Sequence, residues 1–249
     1  MVTFLGIVGS PRAGNTEFIV KEILDKLTKM GAETRLFLLR QLSFTHCQGC
    51  WKCYKTKVCK MRDDLTINLF PEMISAQGMV FASPAYYGSV TGLMKNFMDR
   101  CTPFLNSYNP GPLRGKVSAN IIVYGREGGV YCSQSTLDYW CLTMGLKVIN
   151  NSLFHYLEKN DARSSIYRED ETNIISLKMM ASVDKKWEKK DGQDFPRIIV
   201  KEKALMPLWR TPSGTACKKK EKKGITLSLW SKDITKRRIG KLLKGGFSG

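Results

Sequence analysis

MVTFLGIVGSPRAGNT, residues 1–16, is the stretch whose reading decides the fold. Residues 2–8 form a short apolar run with Phe, Ile and Val, which reads as a buried strand. The run breaks into a turn from Gly9 to Gly14. From 16 to 30, Phe18, Ile19, Ile23, Leu24 and Leu27 recur at helical spacing, and Gly31 sits where the helix should stop. A buried strand handed through a glycine turn into an amphipathic helix is the opening unit of a parallel α/β sheet.

The same rhythm continues along the chain. Residues 33–39, 78–83, 116–124 and 147–156 read as strands. Residues 65–75 read as a weak helix interrupted near Pro71. Residues 90–101 carry Leu93, Met94, Phe97 and Met98 on one stripe, and 131–144 form a helix closed by Gly145. Five alternations predict a three-layer, flavodoxin-like α/β sandwich with a five-stranded parallel sheet in the order 2-1-3-4-5. Residues 1–185 form this domain, interrupted at 42–64 by a cysteine-rich loop, and residues 186–249 form a basic C-terminal extension.

Charge supports that division. The net charge is +18, and residues 185–249 hold nineteen Lys and Arg against six Asp and Glu, a net of +13. The charge is therefore mainly a property of the tail and does not assign the function of the main domain. No run of about 18 apolar residues is present, so no membrane span is expected. The first residues lack a basic n-region and a small-residue cleavage site, so they read as a strand and not a signal peptide, and a cytoplasmic location is expected.

Three stretches carry chemistry. In Gly9-Ser10-Pro11-Arg12-Ala13-Gly14-Asn15-Thr16, backbone amides at a helix start, two hydroxyls, an amide and a guanidinium suit a terminal phosphate. The alternative is a polar turn with a helix cap at Asn15 or Thr16. This is neither a Walker loop nor a dinucleotide fingerprint. Just after the third strand, Ser83-Pro84-Ala85-Tyr86-Tyr87-Gly88-Ser89 offers two aromatic faces, a glycine that permits close approach and a hydroxyl, a loop suited to a flat heteroaromatic ring. The alternative is a turn with two half-buried tyrosines. A weaker glycine-rich loop, residues 124–129, could close over the ring.

The third stretch is Cys47-x2-Cys50-x2-Cys53-x5-Cys59. Eight cysteines stand at 47, 50, 53, 59, 101, 132, 141 and 217. Four within one compact loop fit the wrapping of a 4Fe–4S cluster better than the two separated pairs of structural zinc. Free thiols without metal remain the alternative. His46 reads as a loop residue, and Cys101, Cys132 and Cys141 as small core residues.

Taken in order, these motifs, followed by Asp63-Asp64 and Leu93-Met94-Lys95-x3-Asp99-Arg100, resemble the NADPH-dependent FMN reductase-like superfamily, and within it the iron–sulfur flavoproteins. The resemblance covers about residues 1–155. It implies one FMN per subunit, its phosphate on Ser10, Arg12, Asn15 and Thr16 and its ring against Pro84, Tyr86, Tyr87, Gly88 and Ser89. It further implies cluster ligation by Cys47, Cys50, Cys53 and Cys59, a homo-oligomer (dimer or tetramer), and a redox partner such as ferredoxin or NAD(P)H. Lys95, Asp99 and Arg100 read as structural or interfacial. No residue is assigned as a catalytic acid or base. The resulting expectation is an FMN-dependent electron-transfer oxidoreductase coupled to a 4Fe–4S cluster. Two other readings stand beside it: a cluster-free NAD(P)H-dependent FMN or quinone reductase, and a module in which the basic tail, with Trp187, Trp209 and Trp230, binds an acidic partner or nucleic acid. A solvated tail is preferred to the last, so nucleic acid is not the expected partner.

Overall fold

The computed structural model describes residues 1–105, 111–126 and 129–184. The strands are β1 (Thr3–Val8), β2 (Glu33–Leu38), β3 (Gly78–Tyr86), β4 (Ser89–Val90), β5 (Val117–Tyr124) and β6 (Lys147–His155). The helices are α1 (Asn15–Lys29), α2 (Lys52–Thr56), α3 (Phe70–Ser75), α4 (Gly92–Arg100), α5 (Val130–Thr143) and α6 (Ile166–Val183). The sheet order is β2-β1-β3-β5-β6, all parallel, and β4 pairs antiparallel with the end of β3. With the two-residue β4 set aside, this is the expected flavodoxin-like order. The direction of strand addition reverses between β1 and β3, the switch point where open sheets of this kind place ligands.

Alternation along the strands builds two cores. Leu5, Ile7, Met79, Phe81 and Ile122 face one side and pack under α3, α4 and α5, where Phe81, Phe97 and Trp140 form an aromatic cluster. Phe4, Val8, Val80, Ala82, Ile121 and Val123 face the other and pack under α1 and α6. Gly6 lets α1 sit close on β1, because a Cβ there would stand 2.5 Å from Val20 Cγ1.

Helix α6 was not anticipated from the sequence. Its apolar contacts come from Ile175, Met179 and Met180, with Val183 partly buried at its end. The rest of its buried face is polar: Arg168 pairs with Glu22 at 2.7 Å, and Lys26 donates to Thr172 Oγ1 at 2.7 Å. A helix docked half through polar groups leaves little apolar periodicity to read. The interruption at Pro71 is real: Leu65–Leu69 takes a π-type turn before α3, whose first turn accommodates the proline. The expected boundary at 185/186, the basic extension, Cys217 and the three tail tryptophans lie outside the described residues. Among the described residues, no helix is long and apolar enough to cross a membrane.

Thr91 ties the rim of the sheet together. Its Oγ1 donates to Gly9 O at 2.5 Å and accepts from Met94 N–H at 3.1 Å, capping α4. Its own N–H donates to Ser83 Oγ at 3.1 Å, and Gly9 N–H reaches Ala82 O at 2.8 Å. Thr91 and Ser83 are buried. Thr91→Val removes the cap and strands a buried carbonyl, so it should lower stability by about 2 kcal/mol, read as a shift of the urea midpoint at unchanged slope.

Candidate functional site

The carboxyl ends of β1, β3, β5 and β6 open on one edge of the sheet, and their loops enclose a cleft of ≈ 130 Å³. The first loop contributes Ser10, Arg12, Gly14, Asn15 and Thr16. The end of β3 contributes Pro84, Ala85 and Tyr86, the end of β5 Tyr124 and Gly125, and the chain after β6 Tyr156 to Lys159. The two loops singled out in the sequence thus share one cleft.

Each first-loop residue has a definite task. Ser10 Oγ donates to Arg12 O at 2.6 Å and accepts from Arg12 N–H at 3.3 Å, which fixes the turn. Gly14 is the N-cap of α1 and no side chain caps the helix, so its first amides face the cleft with the positive end of the dipole. Thr16 is buried in the first turn. Asn15 lines the cleft but spends its amide on the opposite wall: Nδ2 donates to Glu158 O at 2.8 Å, and Oδ1 accepts from Ala162 N–H at 3.2 Å. It clamps the loop after β6 to the start of α1.

The second loop divides. Pro84 and Tyr86 stand in the cleft wall. Tyr87, Gly88 and Ser89 are not brought into it. They belong to a tight hairpin in which Tyr86 pairs with Ser89. Tyr87 and Gly88 both take positive φ, +34° and +77°, as a two-residue hairpin turn demands. Tyr87 is fully exposed at the tip. The hairpin touches the glycine-rich loop after β5: at Gly129, φ +87°, a Cβ would lie 2.2 Å from Gly88 Cα. Only glycine fits there. Glu127 and Gly128 of that loop lie outside the described residues.

The four clustered cysteines line a separate recess of ≈ 120 Å³, together with Trp51, Met61, Asp99, Arg100 and Pro103. Burial pushes the Cys53 thiol above its ordinary value, and the neighbouring thiols of Cys59, Cys50 and Cys47 push it further. Trp51, Lys57 and Gly49 adopt left-handed backbone, at φ +57°, +58° and +60°, which folds the loop back on itself. Arg100 anchors it from the core. Its guanidinium forks onto Asp63, Nη1 to Oδ2 at 2.6 Å and Nη2 to Oδ1 at 3.1 Å, donates to Thr45 O at 2.7 Å, and reaches Cys59 Sγ at 3.6 Å. Burial alone would lower the Arg100 pKa, but the hydrogen bond to Asp63 and the Cys59 and Asp63 charges outweigh it, leaving Arg100 above its ordinary value.

The other cysteines separate by position. Cys101 and Cys141 are buried core residues; burial pushes Cys141 up to about 12 and Cys101 well above its usual range. Cys132 corrects the expectation of a core thiol. It is exposed, because Val130, Ser133, Leu137, Trp140 and Cys141 occupy the buried face of α5.

A family model described as NADPH-dependent FMN reductase matches residues 2–159, more than half of the chain. The chain belongs to that family. Among its relatives are proteins described as iron–sulfur flavoproteins. One from Archaeoglobus fulgidus is 40% identical over 126 residues, covering 50% of this chain and 64% of the relative, just under two thirds of its length. One from Methanosarcina thermophila is 31% identical over 160 residues, covering 63% of this chain and 82% of the relative. A solved flavone reductase superposes with a TM-score of 0.55 at 26% identity, covering 74% of this chain and 64% of that one.

For this FMN reductase family member, the recess fits a cluster in the kind of donor it offers: four cysteines and the buried Arg100 are among its lining residues. Among the described residues, however, no three His, Cys, Asp or Glu side chains are gathered as a metal-ligating group. One contribution went unread in the sequence. The chain from Tyr156 to Lys159 forms a cleft wall, which the rule that strand carboxyl ends share one rim could have located. Arg100, expected from its place in the motif to be structural or interfacial, holds the cysteine loop. Asn15→Ala should cost about 1–2 kcal/mol and raise amide hydrogen exchange at residues 158–162, leaving exchange in β3 unchanged.

Proposed function

We propose that the rim cleft holds one FMN and that the chain acts as an FMN-dependent electron-transfer oxidoreductase. The observation that carries this reading is the convergence of four strand-end loops on one cleft beside an α1 start that no side chain caps. A phosphate monoester takes the α1 amides, with the Thr16 hydroxyl beside them and Arg12 and Lys159 as cations at the same end. The flavin ring lies toward Pro84, Tyr86 and Tyr124. Tyr87, Gly88 and Ser89 act from the hairpin tip, meeting whatever approaches the exposed edge. Asn15 serves by holding the β6 wall in place.

The second half of the proposal is a 4Fe–4S cluster on Cys47, Cys50, Cys53 and Cys59. The shared recess and the names of the relatives support it. When bound, FMN supplies one- and two-electron chemistry and a cluster supplies single-electron transfer. The chain positions, shields and charges the two sites. A homo-oligomer and a redox partner such as ferredoxin or NAD(P)H complete the reading, in a cytoplasmic setting. Exposed Trp51, Tyr54 and Val58 beside the recess suit such a contact.

The family's NADPH-dependent FMN reductase description and the thiols not gathered as a metal-ligating group favour one competitor, a cluster-free NAD(P)H-dependent reductase. Anaerobically purified protein should carry about one FMN per chain, with about four iron and four acid-labile sulfide. Cys50→Ser should abolish the iron and sulfide and keep the flavin; NAD(P)H oxidation at the wild-type rate in that variant would favour the competitor. Arg12→Ala should weaken FMN by about 10- to 100-fold and leave riboflavin affinity unchanged, because only FMN brings the phosphate. Equal effects on both ligands would move the phosphate elsewhere.

A further inference from the structure

Arg100 is the largest fully buried side chain among the described residues, 1% exposed, and lies at the end of α4 under the cysteine recess. An arginine in the core is costly unless its fork is satisfied. Here the fork is satisfied on one side only. Asp63 takes both terminal nitrogens and Thr45 O takes one, while Nε has no hydrogen-bond partner among the described residues. The remaining reach of Nη2 is toward Cys59 Sγ, at 3.6 Å. A single carboxylate already balances the charge, so Asp63 alone does not account for a guanidinium whose remaining reach meets the Cys59 sulfur.

We propose that Arg100 is the positioning residue of the cysteine recess, pinning both ends of the loop through Thr45 and Asp63 and holding a fixed positive charge against Cys59, so that an anionic occupant is favoured in its more negative state. This rests on the cluster reading for the identity of the occupant. Reduction adds one electron to that occupant, drawn from reduced flavin or, in the test, from dithionite. No bond in the chain forms or breaks. A hydrogen bond and a buried cation at a ligand sulfur both act to raise a cluster's potential.

The test uses the full chain in three forms: wild type, R100K, which keeps the charge, and R100Q/D63N, which removes the charge and leaves no stranded carboxylate. In protein purified anaerobically, a dye-mediated dithionite titration should show a more negative midpoint in R100Q/D63N and a midpoint near wild type in R100K. In iron-free protein, Cys59 alkylation is compared between iodoacetate and iodoacetamide by peptide mass spectrometry. A neighbouring cation favours the anionic reagent, so the rate ratio should fall about threefold in R100Q/D63N and be retained in R100K. Wild-type ratios in R100Q/D63N, or an equal loss in R100K, overturn the proposal. Wild-type protein without iron and sulfide sinks the cluster reading alone, and the alkylation ratio then decides the role of Arg100.

Discussion

Thr91 joins three things that must coincide for a cleft to exist: its hydroxyl meets the end of β1 at Gly9 and the first turn of α4, and its own N–H meets the exit of β3 at Ser83. Strands β1 and β3 are neighbours in the sheet, but their loops diverge, one rising into α1 and the other into the hairpin. A buried hydroxyl that both donates and accepts holds the divergence to a fixed width. Gly9 shares in this, because a Cβ there would stand 2.6 Å from Met94 Cβ and push α4 away. The site is therefore built on backbone carbonyls and amides, whose positions the sheet dictates, and side chains are added at its margins.

What could be read from the sequence follows the same division. Strands β1, β3 and β5 and helices α1, α4 and α5 announce themselves because each buries a stripe or a run of apolar side chains, while the edge strands β2 and β6 bury fewer. The first loop is legible because glycines and a helix start leave a strong local pattern. Placement at the hairpin is less so: Tyr86 and Tyr87 look alike as letters, yet two positive φ values at the tip send Tyr87 to solvent and leave Tyr86 in the wall. Asn15 has the composition of a ligand-binding residue and the geometry of a clamp. Its partners, Glu158 O and Ala162 N–H, are backbone groups 143 and 147 residues away, and nothing local announces them.

The two recesses are built on opposite principles. The rim cleft is formed by the ends of regular elements and draws its positive character from backbone dipoles. The cysteine recess sits on an exposed loop with three left-handed positions, and its order comes from one core guanidinium reaching outward. Helix α4 serves both, capped by Thr91 at one end and ending in Arg100 at the other, so nine residues of helix set the separation between them.

Helix α6 meets α1 partly across ion pairs and hydroxyls, among them Glu22, Lys26, Arg168 and Thr172. Such partners pack with less apolar area than the contacts under α4 and α5. Among the described residues, α6 is therefore the helix expected to open first. The chain that leads into that helix is also the far wall of the cleft. How far such an opening would travel into that wall is set by Asn15, whose side chain ties it to the start of α1.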